Sequence, residues 1–98
     1  MQIWTRRPQE RDGTYQFSGT FIVTQEVANR LSPQEILTIY LQVQALVKEL
    51  GGLDYLQVFE NESGDKLYFM DQCDPDMMAD ESYMEEYNYC TLLFSHEY

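Results

Sequence analysis

Apolar side chains recur along this chain with two different periods. Over positions 15–23 they alternate, with Tyr15, Phe17, Gly19, Phe21 and Val23 on one side. A period of two predicts a strand with one buried face, on which Gly19 marks a bulge or a close contact. Before it, the first dozen residues are polar and basic and end in an Asp12-Gly13 turn signal. Ile3 and Trp4 are expected to dock as an edge strand paired through that turn.

The period then changes. Positions 24–31 fit a short helical turn capped by Thr24, with Val27 and Leu31 on one side. Ser32-Pro33-Gln34-Glu35 is a helix start: Ser32 suits the N-cap, Pro33 the first helical position, and Glu35 completes a capping box. Leu31, just before the cap, is placed to staple onto Ile36. Beyond it Ile36, Ile39, Tyr40, Val43, Leu46, Val47 and Leu50 repeat at spacings of three and four. They form one apolar helical face, and Gly51-Gly52 is the expected stop.

Alternation returns at 53–61, with Tyr55, Gln57 and Phe59 opposed to Leu56, Val58 and Glu60. Glu62-Ser63-Gly64-Asp65 turns the chain, and 66–71 comes back with Leu67 and Phe69 against Tyr68 and Met70, a hairpin. A polar stretch follows, in which 80–87 suits a short helical turn. The last strand, 88–94, sets Tyr89, Thr91 and Leu93 against Cys90, Leu92 and Phe94. The order strand, helix, strand, strand, strand predicts an α+β fold. Its economical form is one antiparallel sheet of about four strands, with a single long helix packed on one face. Ninety-eight residues hold one core, so residues 1–98 are read as a single domain.

The segment from 21 to about 71 resembles a small bacterial family of unknown function, found largely in Firmicutes and their mobile elements. The resemblance rests on Phe21-Ile22-Val23-Thr24, on the helix ending near Leu50, and above all on Leu53-Asp54-Tyr55-Leu56-Gln57-Val58-Phe59-Glu60. It implies a fold and a phage, plasmid or integrative-element setting, and carries no catalytic residues with it. The acidic segment from Cys73 onward departs from the family pattern.

Charge divides the chain in two. Residues 1–50 hold five acids and five bases; residues 51–98 hold twelve acids and the single base Lys66, so the whole net charge of -11 lies in the second half. Arg6, Arg7 and Arg11 are too few to hold a polyanion against that field, so direct nucleic-acid binding is not expected. They read as a solvated arm or as an internal counter-charge. No signal peptide and no membrane-length apolar run is evident. Cys73 and Cys90 read as thiols in a reducing compartment, which together with the resemblance implies a bacterial cytoplasm.

Candidate chemistry is sparse. His96 and Cys90 stand six residues apart near one strand, about 20 Å if extended, too far for a dyad. The acidic surroundings of Cys73 would raise its pKa. Asp71, Asp74, Asp76 and Asp80 suggest a calcium loop, but counting from Asp74 puts Met78 and Ala79 where a ligand and a glycine belong. Gly51-Gly52 ends a helix, whereas a phosphate loop begins one. No catalytic residue, metal or cofactor is expected, and the chain is not read as an enzyme.

The strongest functional signal is the run 60–86, with ten acids against one lysine. Methionines and tyrosines are interleaved with the acids. Carboxylates steer a basic partner, aromatic residues anchor it, and methionines adapt to it. Carboxylates two apart on a strand stand about 6.5–7 Å apart and can stand in for successive phosphates. Glu60 and Glu62 have that spacing, and Asp74 and Asp76 could have it; Asp80, Glu81, Glu85 and Glu86 would cluster on one helical turn. The expected partner surface is therefore Glu60, Glu62, Asp74, Asp76, Met77, Met78, Asp80, Glu81, Tyr83, Glu85, Glu86 and Tyr87. Its expected partner is a basic nucleic-acid-handling protein such as a nuclease. In size and charge only, the chain resembles anti-CRISPR and antirestriction proteins. The alternative is a structural or protein-interaction module, such as a homodimer, acidic only for solubility.

Overall fold

A computed structural model describes residues 2–72 and 88–98. The chain is α+β. Its strands are β1 (Thr5–Arg6), β2 (Thr20–Val23), β3 (Leu56–Glu60), β4 (Lys66–Asp71) and β5 (Tyr89–Phe94). Its helices are α1 (Gln25–Arg30) and α2 (Pro33–Leu50), and a 3-10 turn covers Ser95–Glu97. The strands form one five-stranded sheet in the order β1-β3-β4-β5-β2.

The sheet differs from the expected one in two respects. It is mixed: β2 runs parallel to β5, with Phe21 opposite Cys90 and Val23 opposite Leu92. The helical crossover and the β3–β4 hairpin lie between these two strands in sequence, and a link of that length permits a parallel pair. The N-terminal edge strand exists, but it involves Thr5 and Arg6 and pairs with β3, not through the Asp12-Gly13 turn.

The long alternation over 15–23 is not one strand. Tyr15 makes an isolated antiparallel bridge with Leu53. Phe17 then adopts a left-handed backbone, φ 49°, while its ring is wholly buried. Two bonds fix that conformation: the Asp71 carboxylate accepts from the Phe17 N–H at 2.9 Å, and Gln44 Nε2 donates to the Phe17 carbonyl. Gly19 is the close contact expected of it. A Cβ there would stand 2.3 Å from the Asn88 carbonyl oxygen, and pairing with β5 begins at the next residue.

Helix α2 starts as its residues dictate. Ser32 accepts from the Glu35 N–H, Glu35 accepts from the Ser32 N–H, and Pro33 occupies the first turn. Gly51 ends it in a left-handed cap. Thr24 caps α1 by accepting from the Val27 N–H. Ile39, Val43 and Val47 of α2 and Val27 of α1 are buried in one cluster with Phe59, Phe69, Leu92 and Phe94 of the sheet. Leu50, expected on the same face, is instead exposed. An aromatic seam joins the layers: Phe21 lies 4.7 Å from Tyr40 and 5.3 Å from Phe69, and Phe17 packs edge-on to Phe69 at 5.0 Å.

Both helices therefore cover one face of the sheet. On the other face Leu56 and Val58 of β3, Tyr68 and Met70 of β4, and Thr91 and Leu93 of β5 remain only partly buried. Against this outer face the described residues set the N-terminal arm, alongside β3, and Tyr98, whose ring stands 5.8 Å from that of Tyr68.

Candidate functional site

Four acids of the run 60–86 lie among the described residues, and three are occupied. Arg7 pairs with Glu60 at 2.7 Å. Arg30 reaches Asp65 at 3.4 Å, and Asn61 also donates to Asp65 at 3.1 Å. Asp71 is buried and holds Phe17. Glu62 alone is exposed with no such partner among the described residues. It sits in the hairpin turn beyond the end of β3, so the strand spacing expected between Glu60 and Glu62 does not apply. The arginines of the first half thus act in part as internal counter-charge for the second.

Asp74, Asp76, Met77, Met78, Asp80, Glu81, Tyr83, Glu85, Glu86 and Tyr87 lie outside the described residues, as does the helical turn expected at 80–87. The ends that flank this stretch meet: the Gln72 N–H donates to the Tyr89 carbonyl at 3.0 Å. They meet at the end of β4 opposite the β3–β4 turn. Six residues of β4 separate the two ends, roughly 17 Å at the strand rise. Glu60 and Glu62 are therefore not brought beside the attachment points of the other candidate acids.

The N-terminal arm is a built feature, not a solvated tail. The Arg7 N–H donates to the Val58 carbonyl at 2.7 Å. Gln9 Oε1 accepts from the Asp54 N–H and from Gln57 Nε2, each at 3.0 Å. Gln57 is buried, and its own oxygen accepts from Arg6 Nε at 2.7 Å; desolvation lowers the Arg6 pKa. At the far end of the arm, Gly13 passes so close to β3's approach that a Cβ would stand 2.3 Å from the Leu53 carbonyl oxygen. Tyr15 and Leu53 then exchange backbone bonds of 2.9 and 3.0 Å.

Between the pinned arm and the outer sheet face is a cavity of about 510 Å³, within the size range of small-molecule sites. Its floor is apolar, made by Leu56, Val58 and Tyr68, with Tyr55 at one side. Arg7, Arg11 and Lys66 also line it, half of the chain's six cations. Glu10 and Asp54 supply its acids. The site has no local sequence signature. Arg6-Arg7-Pro8 and Arg11 were visible as a basic arm, but its register on β3 depends on Gln57, one polar residue within a buried strand face.

A second polar cluster joins the chain's end to α1. His96 Nε2 lies 2.9 Å from Glu26 Oε2. Glu97 accepts from Thr24 Oγ1 at 2.9 Å and from the Phe94 N–H at 3.1 Å. Arg30 lies 4.2 Å over the Phe94 ring and 3.4 Å from Glu26. The hydrogen bond from His96, opposed by some desolvation and aided by Arg30, keeps the Glu26 pKa low. Ligand atoms of Glu26, His96 and Glu97 fall within 4.8 Å of one another. Both carboxylates are already committed to hydrogen bonds, so the cluster serves as a clasp between the C-terminal turn and α1.

Cys90 is buried on the inner face opposite Phe21. Burial, with the Asp71 charge nearby, pushes its thiol up to about 12. At that value it is not a nucleophile near neutral pH. His96 is held by Glu26 on the outside of α1, so the two do not form a dyad.

No family model matches the chain, and comparisons with curated proteins and with solved structures find no match. Among the described residues no helix is long and apolar enough to cross a membrane.

Proposed function

We propose that this protein is a non-enzymatic acidic binding protein that inhibits or modulates a basic nucleic-acid-handling enzyme, as a nucleic-acid mimic. A defence nuclease of a bacterial host is the partner class, and the setting is a mobile element. The carrying observation is the charge distribution. Residues 72–88 hold Asp74, Asp76, Asp80, Glu81, Glu85 and Glu86 and no base, and two of the five bases of the first half are paired elsewhere. Arg7 faces Glu60, and Arg30 faces Glu26 and Asp65. These pairs leave the field of the stretch uncompensated by them. A concentrated anionic segment steers a basic groove at long range.

The flanking residues Gln72 and Tyr89 are hydrogen-bonded to each other at the end of the sheet, which supports the reading by holding the ends of the segment together. Tyr83, Tyr87, Met77 and Met78 supply apolar contact area once the charges have brought the partner in. Glu60 plays a smaller part than its sequence position suggests, because Arg7 already neutralises it.

The test is inhibition of DNA cleavage by a panel of purified CRISPR effector and restriction nucleases, at low and high salt. Inhibition that weakens steeply with salt and is relieved by excess DNA or guide RNA is expected. Neutralising Asp74, Asp76, Asp80, Glu81, Glu85 and Glu86 together to Asn or Gln is expected to abolish it. A salt-insensitive homodimer with no effect on any nuclease would favour the interaction-module reading instead.

A further inference from the structure

We infer that the cavity between the N-terminal arm and the outer face of the sheet is a binding site for a small organic anion with a planar aromatic body. This goes beyond the proposed function and does not rest on the acidic segment.

Three observations carry it. The first is the placement of cations. In a chain of net charge -11, Arg11 and Lys66 have no carboxylate within ion-pair distance among the described residues, yet both line the same cavity. Lys66 stands directly across from Glu60 in the β3–β4 register, but Glu60 is held by Arg7 on its other side. Lys66 is exposed at the start of β4 and Arg11 is exposed on the arm. Two ammonium or guanidinium groups flanking one hollow suit a carboxylate, phosphate or sulfonate. Bonds to such charged groups are the strong class of hydrogen bond.

The second is the floor. Leu56, Val58 and Tyr68 are successive outer-face positions of two paired strands, all partly buried, so they present a contiguous apolar surface, with the Tyr98 ring edge-on to Tyr68 at 5.8 Å. Tyr55 stands beside it, 40% exposed. A planar ring can lie against Tyr68 as aromatic pairs do elsewhere in the fold. Glu10 and Asp54 add acceptors at the wall, which suits a ligand whose body carries hydroxyl or amino donors.

The third is preorganisation. The arm is fixed by Arg7 on Val58, by Gln9 on Asp54 and Gln57, and by the Gly13 passage against Leu53. The cavity wall therefore exists before any ligand arrives, and binding does not have to order it.

Adenosine monophosphate is the first probe, with adenosine and inorganic phosphate as its two halves and anilinonaphthalene sulfonate as an unrelated aromatic anion. Binding is read on the full chain by NMR shifts of the 7–11 arm and of Lys66 and Tyr68. Both aromatic anions are expected to saturate at millimolar concentration or below, and each half alone to bind much more weakly. Arg11→Ala and Lys66→Ala should each weaken the anions roughly tenfold. Lys48→Ala, the same charge change on an exposed position of α2, should leave them unaltered, and Tyr68→Ala should weaken the aromatic anions more than phosphate. No saturable shift with either aromatic anion overturns the site. So does binding that Arg11→Ala and Lys66→Ala leave intact, or phosphate binding as tight as that of the nucleotide.

Discussion

The two faces of the sheet carry nearly the same number of large apolar side chains and put them to different uses. On the inner face Phe59, Leu67, Phe69, Leu92 and Phe94 are buried under the helices. On the outer face their alternating neighbours Val58, Tyr68, Met70 and Leu93 keep part of their surface in solvent. Neighbouring residues on one strand thus belong to different parts of the protein's physics. The inner set holds the fold together, and from the outer set Val58 and Tyr68, with the pinned arm, line the cavity in which we infer binding. The polar groups follow the same division. Asp71 and Gln57 point inward and are satisfied internally, whereas Lys66 points outward and has no ion-pair partner among the described residues.

The sharpest way to break this contrast is to truncate adjacent aromatic residues of β4. Phe69→Ala empties the junction of Phe17, Phe21 and Tyr40 and should cost about 3–5 kcal/mol. Tyr68→Ala, one position away, should cost about 1 kcal/mol or less. Urea denaturation of both variants decides it, and equal losses would mean that the outer face is structural too.

A smaller effect is expected at Asp71. Removing its carboxylate leaves the Phe17 N–H buried without its acceptor, at about 1–3 kcal/mol. Asp71→Ala should therefore destabilise more than Asp71→Asn, whose amide oxygen can still accept. Equal melting temperatures for the two variants would show that this bond does not hold the left-handed Phe17.

The smallest effect concerns the start of α2. Ser32→Ala should cost about 1 kcal/mol through loss of the cap. Its partner Glu35 gives the change a pH signature. Partial desolvation raises the Glu35 pKa, but bonds from the Ser32 backbone, Trp4 and the Ser32 side chain outweigh it, and the net shift is downward. A carboxyl depressed on folding contributes stability fully above its unfolded value, near 4.5, and loses it as pH falls through the lower folded value. The stability gap between the parent and Glu35→Gln should therefore narrow as pH falls from about 4.5 through the lower folded value, and level off below it. A gap independent of pH would remove Glu35 as a contributor.

Much of the fold was legible because its signals are local. The Ser32 capping box, the Gly51 stop, the Thr24 cap and the alternation of β3, β4 and β5 each depend on residues close in sequence. The structure departs from the local pattern where a distant residue decides. The alternation from Tyr15 to Val23 resembles a strand, but Asp71 and Gln44 bend the chain at Phe17. The parallel pairing of β2 with β5 is set by packing across the sheet. The arm's place on β3 depends on Gln57, 48 positions from Gln9. For the same reason the acidic run was visible as composition, while the pairing of Glu60 with Arg7, 53 positions away, was not.

We propose that the acidic stretch between β4 and β5 engages a basic nuclease in place of nucleic acid. The most direct measurement is the inhibition constant against each nuclease of the panel, as a function of salt, for the parent and for the variant with all six of Asp74, Asp76, Asp80, Glu81, Glu85 and Glu86 neutralised. At least one nuclease is expected to be inhibited by the parent, progressively less so as salt rises, and not by the variant. Inhibition that the variant retains in full, or no inhibition of any nuclease at low salt, would contradict it.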